Sequence, residues 1–268
     1  LVMIGAITGD IVGSRFEFNN HKGTDFELFE KGCDYTDDTI CTVAVADWLI
    51  RRREGPVSLA SVLQRWCRRF PYPTGAYGAS FFRWIWDESP EPYYSFGNGS
   101  AMRVSPVGWC FDSLSETINM ATESACITHN HPEGIKGAQA VAAAIYLART
   151  GRTKQEIKYY IESSFGYDLN HSCRQLRMDY QFNETCQHTV PEALVAFLES
   201  SDYEDAVRLA VSLGGDSDTL ACITGGVAEA FYGLPLRIKL KTLSYLPEKI
   251  KKTVEAFYAE FIEPKQKG

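Results

Sequence analysis

Residues 214–219 read GGDSDT and open a segment, ACITGGVAEAFYG, that is apolar enough for a protein core. One aspartate there is an ordinary helix cap, and the paired glycines suit the end of a preceding helix. A second carboxylate two residues later, beside side chains of core type, repels the first unless a cation compensates it. Near the amino terminus, YTDDTICTVAVADWLI repeats the composition: Thr36, Asp37 and Asp38 precede an apolar helical pattern. Folded to face each other, the two helix mouths would offer the carboxylates of Asp37, Asp38, Asp216 and Asp218 and the hydroxyls of Thr36 and Thr219. Four negative charges match two divalent cations, and an all-oxygen set selects Mg²⁺ or Mn²⁺ over Zn²⁺. Residues one or two apart do not share a helix face, so both clusters must lie in the turn that enters the helix. Ions about 3.5 to 4 Å apart are a recurring hydrolytic arrangement. Either cluster alone would be read as a cap.

Two further stretches carry polar residues at spacings that could bind a ligand. In SFGNGSAMRVSPVGW (95–109), Gly97 and Gly99 free the backbone to approach a ligand, and amide groups ahead of a helix can hold phosphate oxygens. The stretch lacks the GK[ST] of a Walker motif, and an ordinary turn held by Asn98 explains it equally well. ITHNHPEGIKGAQA places His129 and His131 two residues apart, but no Cys or acidic partner stands at a zinc-site spacing.

The elements that must position these residues are helical. Gly5, Gly9 and Gly13 recur every four residues, which puts three positions without side chains on one helix face and lets another backbone pack close. Residues 39–50, 138–148, 191–200, 204–213, 219–233 and 247–261 all have the period of amphipathic or buried helices, and alternating strand patterns are nearly absent. Pro191 and Pro247 suit first helical turns, and Gly151 and Gly233 suit carboxy-terminal stops. Stretches 15–35, 70–100 and 165–190 are less regular but are not low-complexity linkers. The expectation is one mostly α-helical domain over residues 1–268 whose long connections converge on a site.

Composition bounds the partners. The chain has 268 residues, 45% of them hydrophobic, which is enough to bury a substantial core. A net charge of -7 argues against a binder of phosphate backbones, so no nucleic-acid partner is expected, and Arg51 to Arg53 and Arg65, Arg68 and Arg69 read as solvated helix faces. Eight cysteines without a CxxC read as small buried thiols in a reducing compartment. The start, LVMIGAITGD, lacks a basic leader and is interrupted by Asp10, and nothing approaches the run of about 18 apolar residues that a membrane span needs. A soluble, cytoplasmic protein without a membrane partner is the expectation.

TDDT, GNGSAMR, the TH pair and GGDSDT, in that order between about Met3 and Gly233, resemble the ADP-ribosylglycohydrolase family, which includes the dinitrogenase-reductase-activating glycohydrolases. The resemblance implies an all-α fold around a binuclear Mg²⁺ or Mn²⁺ site and hydrolysis of a glycosidic bond at the distal ribose of ADP-ribose. It implies metal ligation by Thr36, Asp37, Asp38, Asp216, Asp218 and Thr219. The family's mobile acidic residue falls on Glu17, which otherwise reads as a surface glutamate between Phe16 and Phe18. Glu17, Asp37 and Asp216 are the implied catalytic residues: a ligand aspartate relays the proton of the attacking water and Glu17 assists the leaving group. Ser95, Gly97, Asn98 and Gly99 are implied to bind the diphosphate and nearby sugar, Phe96 the adenine, and His129 and Gly215 to join the substrate pocket. Arg103 would add charge to that pocket or support the fold, and His131 would only hydrogen-bond in its turn.

The expected substrates are ADP-ribosylated proteins or small molecules, and the linkage, whether to arginine, serine, a small molecule or an O-acetylated form, would be selected around 15–30 and 165–190. A terpene-type synthase would need DDxxD, where this chain has Cys41 in place of the third aspartate, and a helical metal phosphohydrolase would need a His-Asp pair. A non-catalytic, ADP-ribose-binding or structural member of the same family is the remaining alternative.

Overall fold

In the computed structural model, which describes residues 1–267, the stripe of Gly5, Gly9 and Gly13 organises the centre of the molecule. It lies on α1 (Ile4–Ser14), and the backbone it admits belongs to α13 (Ser217–Tyr232). A Cβ on Gly9 would stand 1.9 Å from the Ala221 carbonyl oxygen, one on Gly13 2.4 Å from that of Ser217, and one on Gly5 2.6 Å from that of Gly225. As one glycine position rises the other falls, so the helices are antiparallel and touch backbone to backbone. Side-chain oxygen completes the far end: Gly5 donates its N–H to Glu229 Oε1 at 3.1 Å, which caps α1 from α13 where Met3 offers no side-chain cap. The near end matters for function. The carboxy terminus of α1, with Glu17 just beyond it, is brought beside Asp216 and Asp218 at the mouth of α13.

A second junction fixes α2 (Asp37–Arg52). Thr36 is its N-cap and accepts from the Asp38 N–H at 3.1 Å. Asp10, wholly buried on α1, accepts from the backbone N–H groups of Thr36 (2.8 Å) and Thr39 (3.2 Å). Two of the orphan donors of α2 are thus satisfied by a carboxylate from another helix.

The other helices enclose this core. They are α3 (Leu59–Arg69), α4 (Ala79–Trp86), α5 (Gly99–Met102), α6 (Ser105–Cys110), α7 (Leu114–Cys126) and α8 (Pro132–Arg149). They continue with α9 (Lys154–Phe165), α10 (Cys173–Asp179), α11 (Val190–Glu199), α12 (Tyr203–Ser212), α14 (Leu236–Tyr245), α15 (Glu248–Phe261) and α16 (Glu263–Gln266). Alanine-rich α8 is buried along most of its length, and its small side chains let α7, α6 and α13 pack on it. Among the described residues there is no sheet, only the isolated bridges Thr36 to Thr74 and Gly97 to Thr185, so the fold is all-α. No described helix is long and apolar enough to cross a membrane.

All six helices expected from periodicity form. The stretch 15–35 contains no helix, whereas 70–100 and 165–190 contain α4 and α10, helices of only eight and seven residues, too short for a period to stand out in the sequence. Pro191 lies in the first turn of α11, but Pro247 is the N-cap of α15 rather than a helical residue. The arginines at the ends of α2 and α3 are exposed, and seven of the eight free cysteines are buried, with Cys126 half-buried.

Candidate active site

The two acidic helix mouths meet. Thr219 Oγ1 of α13 donates to Asp38 Oδ2 of α2 at 2.8 Å, across 181 residues of sequence. Around Thr36 Oγ1 stand three carboxylate oxygens: Asp10 Oδ1 at 2.6 Å, Asp218 Oδ2 at 3.2 Å and Asp38 Oδ1 at 3.4 Å. A hydroxyl has one proton to give, so it can satisfy only one of these three carboxylates. Asp218 Oδ1 is buried and has no hydrogen-bond partner, a state that costs free energy unless another charge meets it.

Carboxylate oxygens gather in two groups, each within 4.8 Å: Asp10, Asp38 and Asp218, and Glu17, Asp216 and Asp218. Asp218 belongs to both. Each group is the right size and donor type for a hard divalent cation, and neither includes His or Cys among the described residues. Burial, then the charges of Asp10, Asp37 and Asp216, push Asp38 well above the ordinary carboxylate range. Asp218 is raised in the same sense by burial, then by Asp38 and Asp216. Glu17, half-buried, is pushed up to about 8 by burial, then by Asp216 and Asp37. Carboxylates that suppress one another's ionisation this way are compensated by a cation.

The cluster forms part of the wall of a cavity of about 400 Å³, a size suited to a small-molecule ligand. Asp37, Asp38, Asp216, Asp218, Thr219 and Glu17 line it, with Ser95, Gly97, Asn98, Gly99 and His129 on the same wall system. Asn98 ties loop to acid: its Nδ2 donates to Asp216 Oδ2 at 2.8 Å. The loop is also anchored from behind, because Asn98 N–H donates to the Glu184 carbonyl at 2.7 Å and Gly97 N–H to Ser95 Oγ at 3.1 Å. Two of the amides that could have met a phosphate are therefore already engaged. Opposite, Gly75 at φ 80° lets the loop before α4 close over Glu17, where an added Cβ would lie 2.8 Å from Glu17 Oε2.

The remaining expected residues are placed as follows. Thr36 is fully buried inside the cluster rather than on the cavity wall. Asp37 lines the cavity but joins neither carboxylate group. Phe96 is 44% exposed, faces the His131 ring at 5.1 Å between centroids and does not line the cavity. Gly215 packs behind the site against Tyr180, and its carbonyl accepts from Asn20 at 2.9 Å. His131 caps α8, its Nδ1 accepting from Glu133 N–H at 3.0 Å. Asp10 joins the carboxylates although no motif marks it; its one signal in the sequence is an acid inside the apolar stretch GAITGDIVGS, with Gly on one side and Ile on the other. Glu184 and Tyr93, which also line the cavity, carry no motif.

The sequence model of the family described as ADP-ribosylglycohydrolase matches residues 2–267. This chain belongs to the ADP-ribosylglycohydrolase family. Among curated relatives of this chain, ADP-ribosylarginine hydrolase Tri1 of Pseudomonas putida (strain GB-1) is 25% identical, over 87% of this chain and 70% of that protein. Human ADP-ribosylhydrolase ARH3 is 24% identical over 87% of this chain and 84% of its own length. A solved ADP-ribosylglycohydrolase-related protein complex has the same fold, with a TM-score of 0.72 at 26% identity over 96% of this chain and 95% of that one.

Proposed function

We propose that the chain is a divalent-metal-dependent hydrolase that cleaves the glycosidic bond between ADP-ribose and an acceptor, either a protein side chain or a small molecule. Family membership and relatives named for ADP-ribosyl hydrolysis support the reaction class. The observation that carries metal dependence is the convergence of carboxylates from α1, α2 and α13 beside the cavity, with Asp218 Oδ1 buried and unpaired. Thr36, Asp37, Asp38, Asp216, Asp218 and Thr219 are the residues that would hold two ions, Mg²⁺ or Mn²⁺. When bound, such ions supply Lewis-acid polarisation of water and a fixed anchor for vicinal sugar hydroxyls.

The chain's own residues do the rest. Asn98, held by Glu184 from behind, orients Asp216 through its amide, which commits one carboxylate oxygen. Ser95, Gly97, Gly99 and His129 line the wall that would receive ADP-ribose, with Gly215 packed behind it and Phe96 exposed beside the loop, where it would meet the adenine. Orientation of the sugar against the carboxylates is where most of the rate enhancement would arise. Glu17, within the Asp216 and Asp218 group, stands beside the reacting carbon and assists the departing acceptor, while Asp37 or Asp216 accepts the proton of the attacking water.

The test is release of free ADP-ribose from ADP-ribosylated arginine and serine peptides and from a small-molecule conjugate, with and without chelator. Release that stops on chelation and returns with Mg²⁺ or Mn²⁺ supports the proposal. Tight ADP-ribose binding without release from any substrate would replace it with a non-catalytic binding role.

A further inference from the structure

Arg103 is 1% exposed, yet no salt bridge pairs it among the described residues. A buried guanidinium without an acid is unusual, since isolated buried charges are costly. Its Nη2 donates to the Ser124 carbonyl at 2.8 Å and to Thr128 Oγ1 at 2.9 Å. Thr128 Oγ1 in turn lies 2.6 Å from His129 Nδ1. The three groups form a chain that ends at the cavity, which Arg103 and His129 both line.

Arginine only donates, so the Thr128 oxygen accepts from it. The Thr128 hydroxyl is fully buried, and among the described residues its only other hydrogen-bonding neighbour is His129 Nδ1. If Nδ1 carried a proton, the hydroxyl would receive two donors and its own hydrogen would have nowhere to go, which buried groups avoid. The arrangement that satisfies the Thr128 hydroxyl has it donating to a bare Nδ1. Burial and the Arg103 charge hold His129 well below its ordinary value, so the ring is neutral and its single proton lies on the other nitrogen. His129 Nε2 makes no hydrogen bond within the described residues and faces the glycine loop: a Cβ on Gly99 would come within 2.9 Å of it and one on Gly97 within 3.6 Å.

We infer that Thr128, oriented by Arg103, is a positioning residue that locks His129 in the Nε2–H form, making it a one-way hydrogen-bond donor to an anionic or hydroxyl oxygen of the ligand seated over Gly97 to Gly99. The inference rests on the proposed function only for the identity of that ligand, ADP-ribose. The unpaired Arg103 charge acts in the same direction, because it favours a negative group in the shared cavity.

Long-range ¹H–¹⁵N spectra of histidine-labelled protein, with His129 assigned by the loss of its signals in His129→Asn, read the tautomer directly. The wild type is expected to show a protonated Nε2 and an Nδ1 that resonates as a hydrogen-bonded acceptor. Thr128→Val, nearly the same size, should shift or protonate Nδ1 and lower ADP-ribose affinity by calorimetry about 10- to 100-fold, whereas Thr128→Ser should restore both. A protonated Nδ1 in the wild type overturns the inference, as does a Thr128→Val protein whose His129 spectrum or ADP-ribose affinity is unchanged. If the wild type bound no ADP-ribose at all, the proposed function would fail while the tautomer still decided the role of Thr128.

Discussion

Gly9→Ala tests how the fold holds the site, because the cost can be worked from the structure and a control lies on the facing helix. The new Cβ would stand 1.9 Å from the Ala221 carbonyl oxygen and 2.8 Å from the Cys222 nitrogen, both backbone atoms that no rotamer change can move. Ordinary contact begins at 3.4 Å, so α1 and α13 must part by about 1.5 Å, in a core where packing leaves little slack. Overpacking costs roughly 1 to 3 kcal/mol, and the backbone clash places this case at the upper end. Alanine's better helix propensity returns at most about 1 kcal/mol, leaving a net loss of about 2 kcal/mol, or a fall in Tm of about 4 to 8 °C.

The same displacement enters the site. Carboxylate oxygens now within 4.8 Å across α1 and α13 would separate beyond the span that one ion with bonds of about 2.0 to 2.6 Å can bridge. Gly226→Ala is the control, since its nearest neighbour would be Ala6 Cβ at 3.5 Å, and it should be neutral or stabilising by up to about 1 kcal/mol. Urea denaturation and Mn²⁺ calorimetry on both variants read the two effects. Equal stability of the two proteins, with unchanged Mn²⁺ affinity in Gly9→Ala, would show that the glycine stripe does not set the helix separation.

The remaining expectations concern buried acids. Burial pushes Glu229 up to about 7 from an ordinary 4.5, against the Gly5 N–H bond that lowers it. The folded state therefore holds the proton more tightly than the unfolded chain, so the stability present below pH 4.5 is lost as pH rises through 7, by about 3 kcal/mol. Glu229→Gln keeps an acceptor without the charge, and urea melts between pH 5 and 8 should show a flatter slope than the wild type; identical slopes would remove Glu229 as the source. Asp10→Asn should leave the protein folded, since the amide oxygen can still accept from the Thr36 and Thr39 N–H groups, but weaken Mn²⁺ binding about 10- to 100-fold. Unchanged binding by calorimetry would reduce Asp10 to a cap for α2.

Much of this arrangement is legible in the sequence because its signals are doubled. One Thr-Asp-Asp at a helix mouth is a cap, but its echo in GGDSDT asks for a common partner, and the glycine stripe of α1 announces a close helix without naming it. Asp10 was not legible as part of the cluster: its neighbours are apolar, and only the approach of Thr36 and Thr39 gives its carboxylate a place. The loop 95–99 was half legible. Its glycines mark a backbone approach, but that Glu184 already occupies the Asn98 amide depends on a chain segment more than 80 residues away. The Arg103, Thr128 and His129 chain has no sequence signature beyond the TH pair, since Arg103 arrives from a separate helix end.

Counting bound divalent ions while following hydrolysis tests the central claim most directly: equilibrium dialysis against Mn²⁺ with elemental analysis, on the same preparation assayed for release from an ADP-ribosylated peptide. The expected result is two ions per chain, loss of hydrolysis when chelation strips them, and recovery on adding them back. Full hydrolysis by protein shown to contain no bound metal would contradict it.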